Sequence, residues 1–233
     1  MMLRSHIFAD RAAAGVALAR ELQRRLLRPP LIVLALPRGG VAVAYEVARM
    51  LHAPLDVLIV RKIGMPGQPE LAIGAIASGG ILVQEPGMEQ EFPELAESFD
   101  RLVEEQRLEL ERRQRVYRPG ASALELSGKS AILVDDGLAT GSTMLAAVRA
   151  ARAAGAATII VAAPVASPEA AALVRREADV TVILQIPPAL FAIGQWYRDF
   201  EQLEDAEVCR LLDLSRRGFN GGPAANAKNH ASG

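Results

Sequence analysis

Nearly continuous apolar runs alternate with helical stripes along most of the chain. Residues 31–36, 55–60, 130–134, 158–165 and 180–184 carry little polar alternation. Runs of this kind predict strands buried on both faces, as in a parallel sheet covered by helices. Asp10 is placed to cap a helix reaching to about Leu27, with Val16, Leu18, Ala19, Leu22 and Leu26 on its stripe. Further helices are expected over 41–51, from the end of the 135–143 loop to about Ala154, and near 203–214. Ser167-Pro168-Glu169 is a strong helix start, a capping hydroxyl followed by proline at the first helical position.

Two regions interrupt the alternation. Residues 61–70 read as a Gly- and Pro-rich loop, and 71–78 with 81–84 flank Gly79-Gly80 as a hairpin. Residues 93–118 read as one long charged helix, with Glu97–Arg101, Glu109–Arg113 and Glu111–Arg115 spaced for surface ion pairs. Its apolar stripe is thin, which fits a solvated helix laid over the body better than a dedicated partner surface. The last residues, 218–233, are small, polar and Gly-rich, and read as a disordered tail.

The expected fold is therefore α/β, a Rossmann-like parallel sheet. Sheets of this kind bind ligands at the carboxyl ends of their strands. The segments 37–40, 61–70 and 135–143 each follow a strand, so they should gather at one edge.

Composition narrows the partners. A net charge of −1 gives no basic excess for nucleic acid as the main partner. Cys209 is the one cysteine, so no internal disulfide can form, and its apolar neighbours make it a small core residue rather than a nucleophile. His6, His52 and His230 lack metal-ligand spacing. Residues 1–10 hold no long apolar run and no stretch approaches a membrane span, so a cytoplasmic protein without membrane contact is expected.

The chemistry concentrates in Ala131-Ile132-Leu133-Val134-Asp135-Asp136-Gly137-Leu138-Ala139-Thr140-Gly141-Ser142-Thr143. A buried strand delivers two carboxylates, then a loop of small and hydroxyl residues opens a helix. Free backbone N–H groups and the helix dipole suit a phosphate dianion. No lysine follows Gly141, which excludes the polyphosphate-binding P-loop pattern, and no G-x-G-x-x-G stands here. Adjacent carboxylates repel and want hydroxyl donors or a cation. A ribose 5-phosphate supplies both parts: a phosphate for Ala139, Thr140, Gly141, Ser142 and Thr143, and ribose hydroxyls that donate to Asp135 and Asp136.

These residues resemble the type I phosphoribosyltransferases, whose signature is matched by the apolar strand, Asp135-Asp136 and Ala139-Thr140-Gly141. The resemblance runs from about Leu31 to Phe200, with 85–127 as a helical insertion, and is nearest to a group of bacterial phosphoribosyltransferases of unsettled substrate. It implies one domain over 1–217, with a lid at about 62–84 and a small hood at about 185–217. It also implies transfer of the 5-phosphoribosyl group from 5-phosphoribosyl 1-diphosphate to a nitrogenous base, with Mg²⁺ carried by the substrate and few direct protein ligands. A homo-oligomer, most simply a dimer, belongs to the same expectation.

Other segments are read through the resemblance. Pro37-Arg38-Gly39-Gly40 is similar to the family's diphosphate loop, although a strand-to-helix turn needing glycine explains it equally well. Arg61 and Lys62 stand where cations would reach the diphosphate, with Lys62 joining Asp135 and Asp136 as a catalytic candidate. The lid region reads equally as a plain hairpin. Trp196, Tyr197, Asp199 and Phe200 are the base-binding candidates in the hood, while clustered aromatics also suit a core. An acid commonly stands just before Thr-Gly in 6-oxopurine members; here it is Ala139, leaving Glu70 or Asp199 to replace it. The rival function is a regulator that binds 5-phosphoribosyl 1-diphosphate without catalysis.

Overall fold

A computed structural model describes residues 7–25, 27–84, 95–120 and 124–220. Strands β1 (Leu31–Ala35), β2 (Leu55–Val57), β6 (Ser130–Val134), β7 (Thr158–Val165) and β8 (Val180–Gln185) form one parallel sheet in the order β2-β1-β6-β7-β8. The apolar runs of β1, β6 and β7 are buried almost throughout, with all five residues of β6 out of solvent. Strand β8, at the sheet edge, departs from the expectation and is buried only at Val182, because it has a strand neighbour on one side alone.

Side chains alternate across this sheet and fill two separate cores. On one face Val33, Ala35, Ile132 and Val134 meet α1 (Arg11–Gln23), α2 (Gly40–Leu51) and α6 (Asp205–Asn220). On the other face Ile32, Leu34, Ala131 and Leu133 meet α4 (Ser142–Ala153) and α5 (Pro168–Arg175). Burying both sets removes the large apolar area that drives the fold.

From β1 the chain runs outward to β2, and from β6 it runs the other way to β7 and β8. The reversal between β1 and β6 opens a crevice at their carboxyl ends, the place where such sheets bind ligands.

The antiparallel hairpin β3 (Val60–Met65), β4 (Gln68–Ala77) and β5 (Ile81–Gln84) forms a second sheet. Here the chain departs from the sequence reading. The run 55–60 is not one strand. Leu58 N–H still donates to Ala35 of β1, but Ile59 is tied to Ser78, whose Oγ accepts its N–H at 3.0 Å. The partner changes while the apolar character continues. Most of the expected 61–70 loop is strand, because Gly67 at φ 78 makes a tight turn that pairs its flanks. The second turn, at Gly79 and Gly80 with φ 88 and 73, falls where expected.

Helix α3 (Leu95–Tyr117) lies over this hairpin, with Phe99 packed on Ile63 and Ile73. Two of the expected ion pairs form, Arg113–Glu109 at 2.8 Å and Arg115–Glu111 at 3.9 Å. The Glu97 side chain of the other lies outside the described residues. Asp10 and Ser167 cap α1 and α5 through Ala13 and Ala170 N–H. Helix α1 stops at Gln23, short of Leu27, and α6 runs past 214 to Asn220. Residues 218–220, expected to open the tail, are therefore its last helical residues; 221–233 lie outside the described residues. Among the described residues no helix is long and apolar enough to cross a membrane.

Candidate active site

Both sides of the crevice carry the expected segments. On the β1 side, Leu36 N–H donates to the Val134 carbonyl, and the chain then turns through Pro37-Arg38-Gly39-Gly40 into α2. The Pro37–Arg38 peptide is cis. Glycine is required here by space. A Cβ on Gly39 would lie 1.9 Å from Asp136 Oδ2, and one on Gly40 would lie 2.7 Å from the Val134 carbonyl oxygen. The loop backbone therefore rests directly against the two carboxylates.

On the β6 side, Asp135 and Asp136 leave the strand side by side, and Asp135 Oδ1 accepts the Asp136 N–H at 2.8 Å. Burial first, and the neighbouring Asp136 charge second, push the Asp135 carboxyl well above the usual carboxylate range. Asp136 is paired instead: its Oδ2 accepts Arg11 Nε at 2.8 Å. Arg11 lies at the start of α1, 125 residues away in sequence.

The loop that follows is stapled to the end of β7. Leu138 N–H donates to the Val165 carbonyl, and Ser167 N–H donates back to the Leu138 carbonyl, both at 2.9 Å. Ser167 Oγ adds a third bond, to the Ala139 carbonyl at 2.8 Å, while accepting the Ala170 N–H. Gly141 then takes φ 77 and opens α4 with no side-chain cap. The first N–H groups of α4 are the donors a phosphate takes. Thr140 Oγ1 and Ser142 Oγ sit 3.0 Å apart beside them, and Thr143 is exposed in the same turn.

The structure brings some candidates to this crevice and directs others elsewhere. Lys62 lies within β3, and its Nζ donates to Ser142 Oγ at 3.2 Å, so it stands at the 139–143 loop. Arg61, next to it, is held by Gln106 of α3 at 2.9 Å, and burial lowers its pKa. Arg38 lies 3.8 Å from Asp205 and 3.9 Å from Glu204, at the start of α6. Asp205 also accepts the Tyr117 hydroxyl at 2.5 Å, which ties α3 to the same corner.

In the hood, Tyr197 is buried and its hydroxyl donates to the Asp136 carbonyl at 2.5 Å. Its ring stacks on Phe200, and the Arg11 guanidinium lies 3.8 Å above the Phe200 ring. These two aromatics thus prop the carboxylate strand from behind. Asp199 Oδ1 accepts the Glu201 N–H at 3.2 Å, and Trp196 is half-buried. The Glu70 side chain lies outside the described residues. Sequence reasoning missed Arg11 altogether and read Ser167 only as a helix cap. A cation at the first position of a helix, where the dipole disfavours it, was the one available signal for Arg11.

A parallel sheet with a small-residue loop and a helix N-terminus at its switch point, beside paired carboxylates, defines an α/β fold of the kind that binds ligands at the carboxyl ends of its strands. The family profile of the phosphoribosyl transferase domain matches residues 7–194, and the chain belongs to that family. It is 44% identical over 213 residues to proteins from two Mycobacterium tuberculosis strains, CDC 1551 and H37Rv, each provisionally named a phosphoribosyl transferase. That alignment covers 91% of this chain and 48% of each relative, so the chain spans about half the length of the curated relatives it matches. The crystal structure of TT1426 from Thermus thermophilus superposes with a TM-score of 0.82 at 41% identity, covering 88% of this chain and 97% of that one.

Proposed function

We propose that the chain transfers the 5-phosphoribosyl group from 5-phosphoribosyl 1-diphosphate to a nitrogenous base or related acceptor, releasing pyrophosphate. The observation that carries this reading is the meeting, at one sheet edge, of the Asp135-Asp136 pair and the Ala139–Gly141 loop at the start of α4. The 5-phosphate takes the α4 N–H groups and the hydroxyls of Thr140, Ser142 and Thr143. The ribose hydroxyls donate to Asp135 and Asp136. The backbone N–H groups of Arg38, Gly39 and Gly40 face the diphosphate.

Bond breaking at C1 of the ribose develops positive charge on the ring, as in glycosyl transfer generally. The paired carboxylates below the ring favour that charge, and the fixed loops hold the diphosphate in line to leave. Exclusion of water by the β3–β5 hairpin protects the cationic ring from hydrolysis.

Among the described residues no cluster of three His, Cys, Asp or Glu side chains stands ready for a metal. The oxygen donors of Asp135 and Asp136 nevertheless fit Mg²⁺ carried on the substrate and touching the protein through water. Bound there, Mg²⁺ would offset charge on the leaving diphosphate.

A panel of adenine, hypoxanthine, guanine and uracil with 5-phosphoribosyl 1-diphosphate and Mg²⁺, reading pyrophosphate release, tests the proposal. Turnover with one base, abolished by Asp135→Asn with Asp136→Asn, is the expected result. Binding of 5-phosphoribosyl 1-diphosphate without turnover would make the chain a regulator. Unchanged turnover in the folded double variant would overturn the site assignment.

A further inference from the structure

Two adjacent carboxylates in a half-buried crevice need a countercharge, and among the described residues the salt bridge goes to Asp136 alone of the pair. Arg11 supplies it with both side chains largely out of solvent, 11% exposed for Arg11 and 15% for Asp136. Nothing in α1 itself asks for this residue. A cation in the first turn of a helix opposes the macrodipole, so its presence points to a role outside the helix.

The guanidinium makes three contacts at once. Nε donates to Asp136 at 2.8 Å, Nη1 donates to the Glu201 carbonyl at 2.8 Å, and its face lies over Phe200 at 3.8 Å. Lysine, a point charge without a planar fork, cannot reproduce this set. Tyr197, stacked on Phe200, holds the backbone carbonyl of the same Asp136. Both the side chain and the backbone of Asp136 are therefore fixed by one cluster. Gly39 leaves room for the same carboxylate, since a Cβ there would lie 1.9 Å from the Oδ2 that Arg11 binds.

We propose that Arg11 is a positioning residue of the phosphoribose site, holding Asp136 to receive a ribose hydroxyl and tying that carboxylate to the hood. The inference rests on the phosphoribose reading above. Without Arg11 the Asp136 carboxylate faces Asp135 uncompensated and turns away from the ribose position. The 139–143 loop, stapled separately to β7, keeps its geometry.

The test is calorimetric binding to the full chain, with ribose 5-phosphate and inorganic phosphate as separate probes. Arg11→Ala should weaken ribose 5-phosphate binding roughly 10-fold, in the range of coupled neighbours, and leave phosphate binding unchanged. Arg11→Lys should recover part of the loss, and Arg11→Ala on an Asp136→Asn background should cost nothing further. If Arg11→Ala does not fold, Arg11→Gln and Arg11→Lys carry the same comparison. Wild-type affinity in a folded Arg11 variant, or equal losses for both probes, would overturn the proposal. A wild-type chain that binds phosphate but not ribose 5-phosphate would overturn the phosphoribose reading, and this inference with it.

Discussion

Lys62 Nζ donates to Ser142 Oγ at 3.2 Å, joining the hairpin strand β3 to the first residue of helix α4. The two residues are 80 apart in sequence, and the contact sets an exposed cation at the mouth of the 139–143 loop. A cation beside the helix N-terminus adds to its pull on a phosphate.

Lys62→Ala should therefore weaken ribose 5-phosphate and 5-phosphoribosyl 1-diphosphate alike, each by roughly 10-fold or more, the usual worth of a charge-assisted hydrogen bond. Titration of both ligands against the variant checks this. A loss confined to 5-phosphoribosyl 1-diphosphate would return Lys62 to the diphosphate.

Asp135 predicts a pH dependence of stability. Its folded pKa is raised, by burial and by Asp136, so above the unfolded carboxylate range near pH 4 the folded chain holds a proton that the unfolded chain has lost. The folded state binds more protons there, so unfolding free energy falls as pH rises, until the folded carboxyl has also ionised. Asp135→Asn removes this contribution, and its melting temperature should fall less than that of the wild type on going upward from about pH 4. Parallel pH profiles for the two proteins would show that Asp135 ionises in the folded state as it does in the unfolded chain.

What the sequence made legible follows from locality. Strands β1, β6 and β7 stand where the apolar runs put them, because burial on both faces writes itself into consecutive residues. The Asp135–Thr143 string is contiguous, so its charge, glycine and hydroxyls could be read together. The break after Leu58 was invisible, because the change of partner from β1 to Ser78 falls within 57–60, where every residue is apolar. Arg11 was invisible for the opposite reason: its partners Asp136, Phe200 and Glu201 are far along the chain, and only folding brings them together. Tyr197 and Phe200 were visible as an aromatic cluster, but which way the cluster faces depends on Phe8 and Arg11 packing behind it.

Ser167 couples helix capping to the phosphate loop. Its hydroxyl accepts from Ala170 and donates to the Ala139 carbonyl, so Ser167→Ala removes both bonds. Loss of the cap should cost about 1 kcal/mol of stability. Release of the loop should lower ribose 5-phosphate affinity roughly fivefold, the worth of about one hydrogen bond. Ser167→Thr keeps the hydroxyl and should restore both. Melting curves and calorimetry on the two variants separate the effects. Full ligand affinity in Ser167→Ala would show that the Leu138 backbone bonds fix the loop unaided.

The acceptor base is constrained by what Ala139 lacks. Its carbonyl is held by Ser167 and its side chain is exposed at the loop, where it has no proton to exchange. Asp135 and Asp136 face the ribose position in the proposed site, with Asp136 already committed to Arg11. Asp199, the other described acid named for this task, accepts the N–H of Glu201 within its own turn. A 6-oxopurine acceptor needs a group to manage the proton on its reacting ring system, and a well-placed acid or base is worth ~10²–10⁴ in rate. The chain should therefore turn over hypoxanthine and guanine weakly or not at all. Ala139→Asp should raise any residual rate with these bases, provided the loop stays closed on Ser167. Steady-state assays of both proteins with hypoxanthine and guanine decide the point. Robust wild-type turnover of either base would place the proton on a group other than residue 139 and end the inference from Ala139.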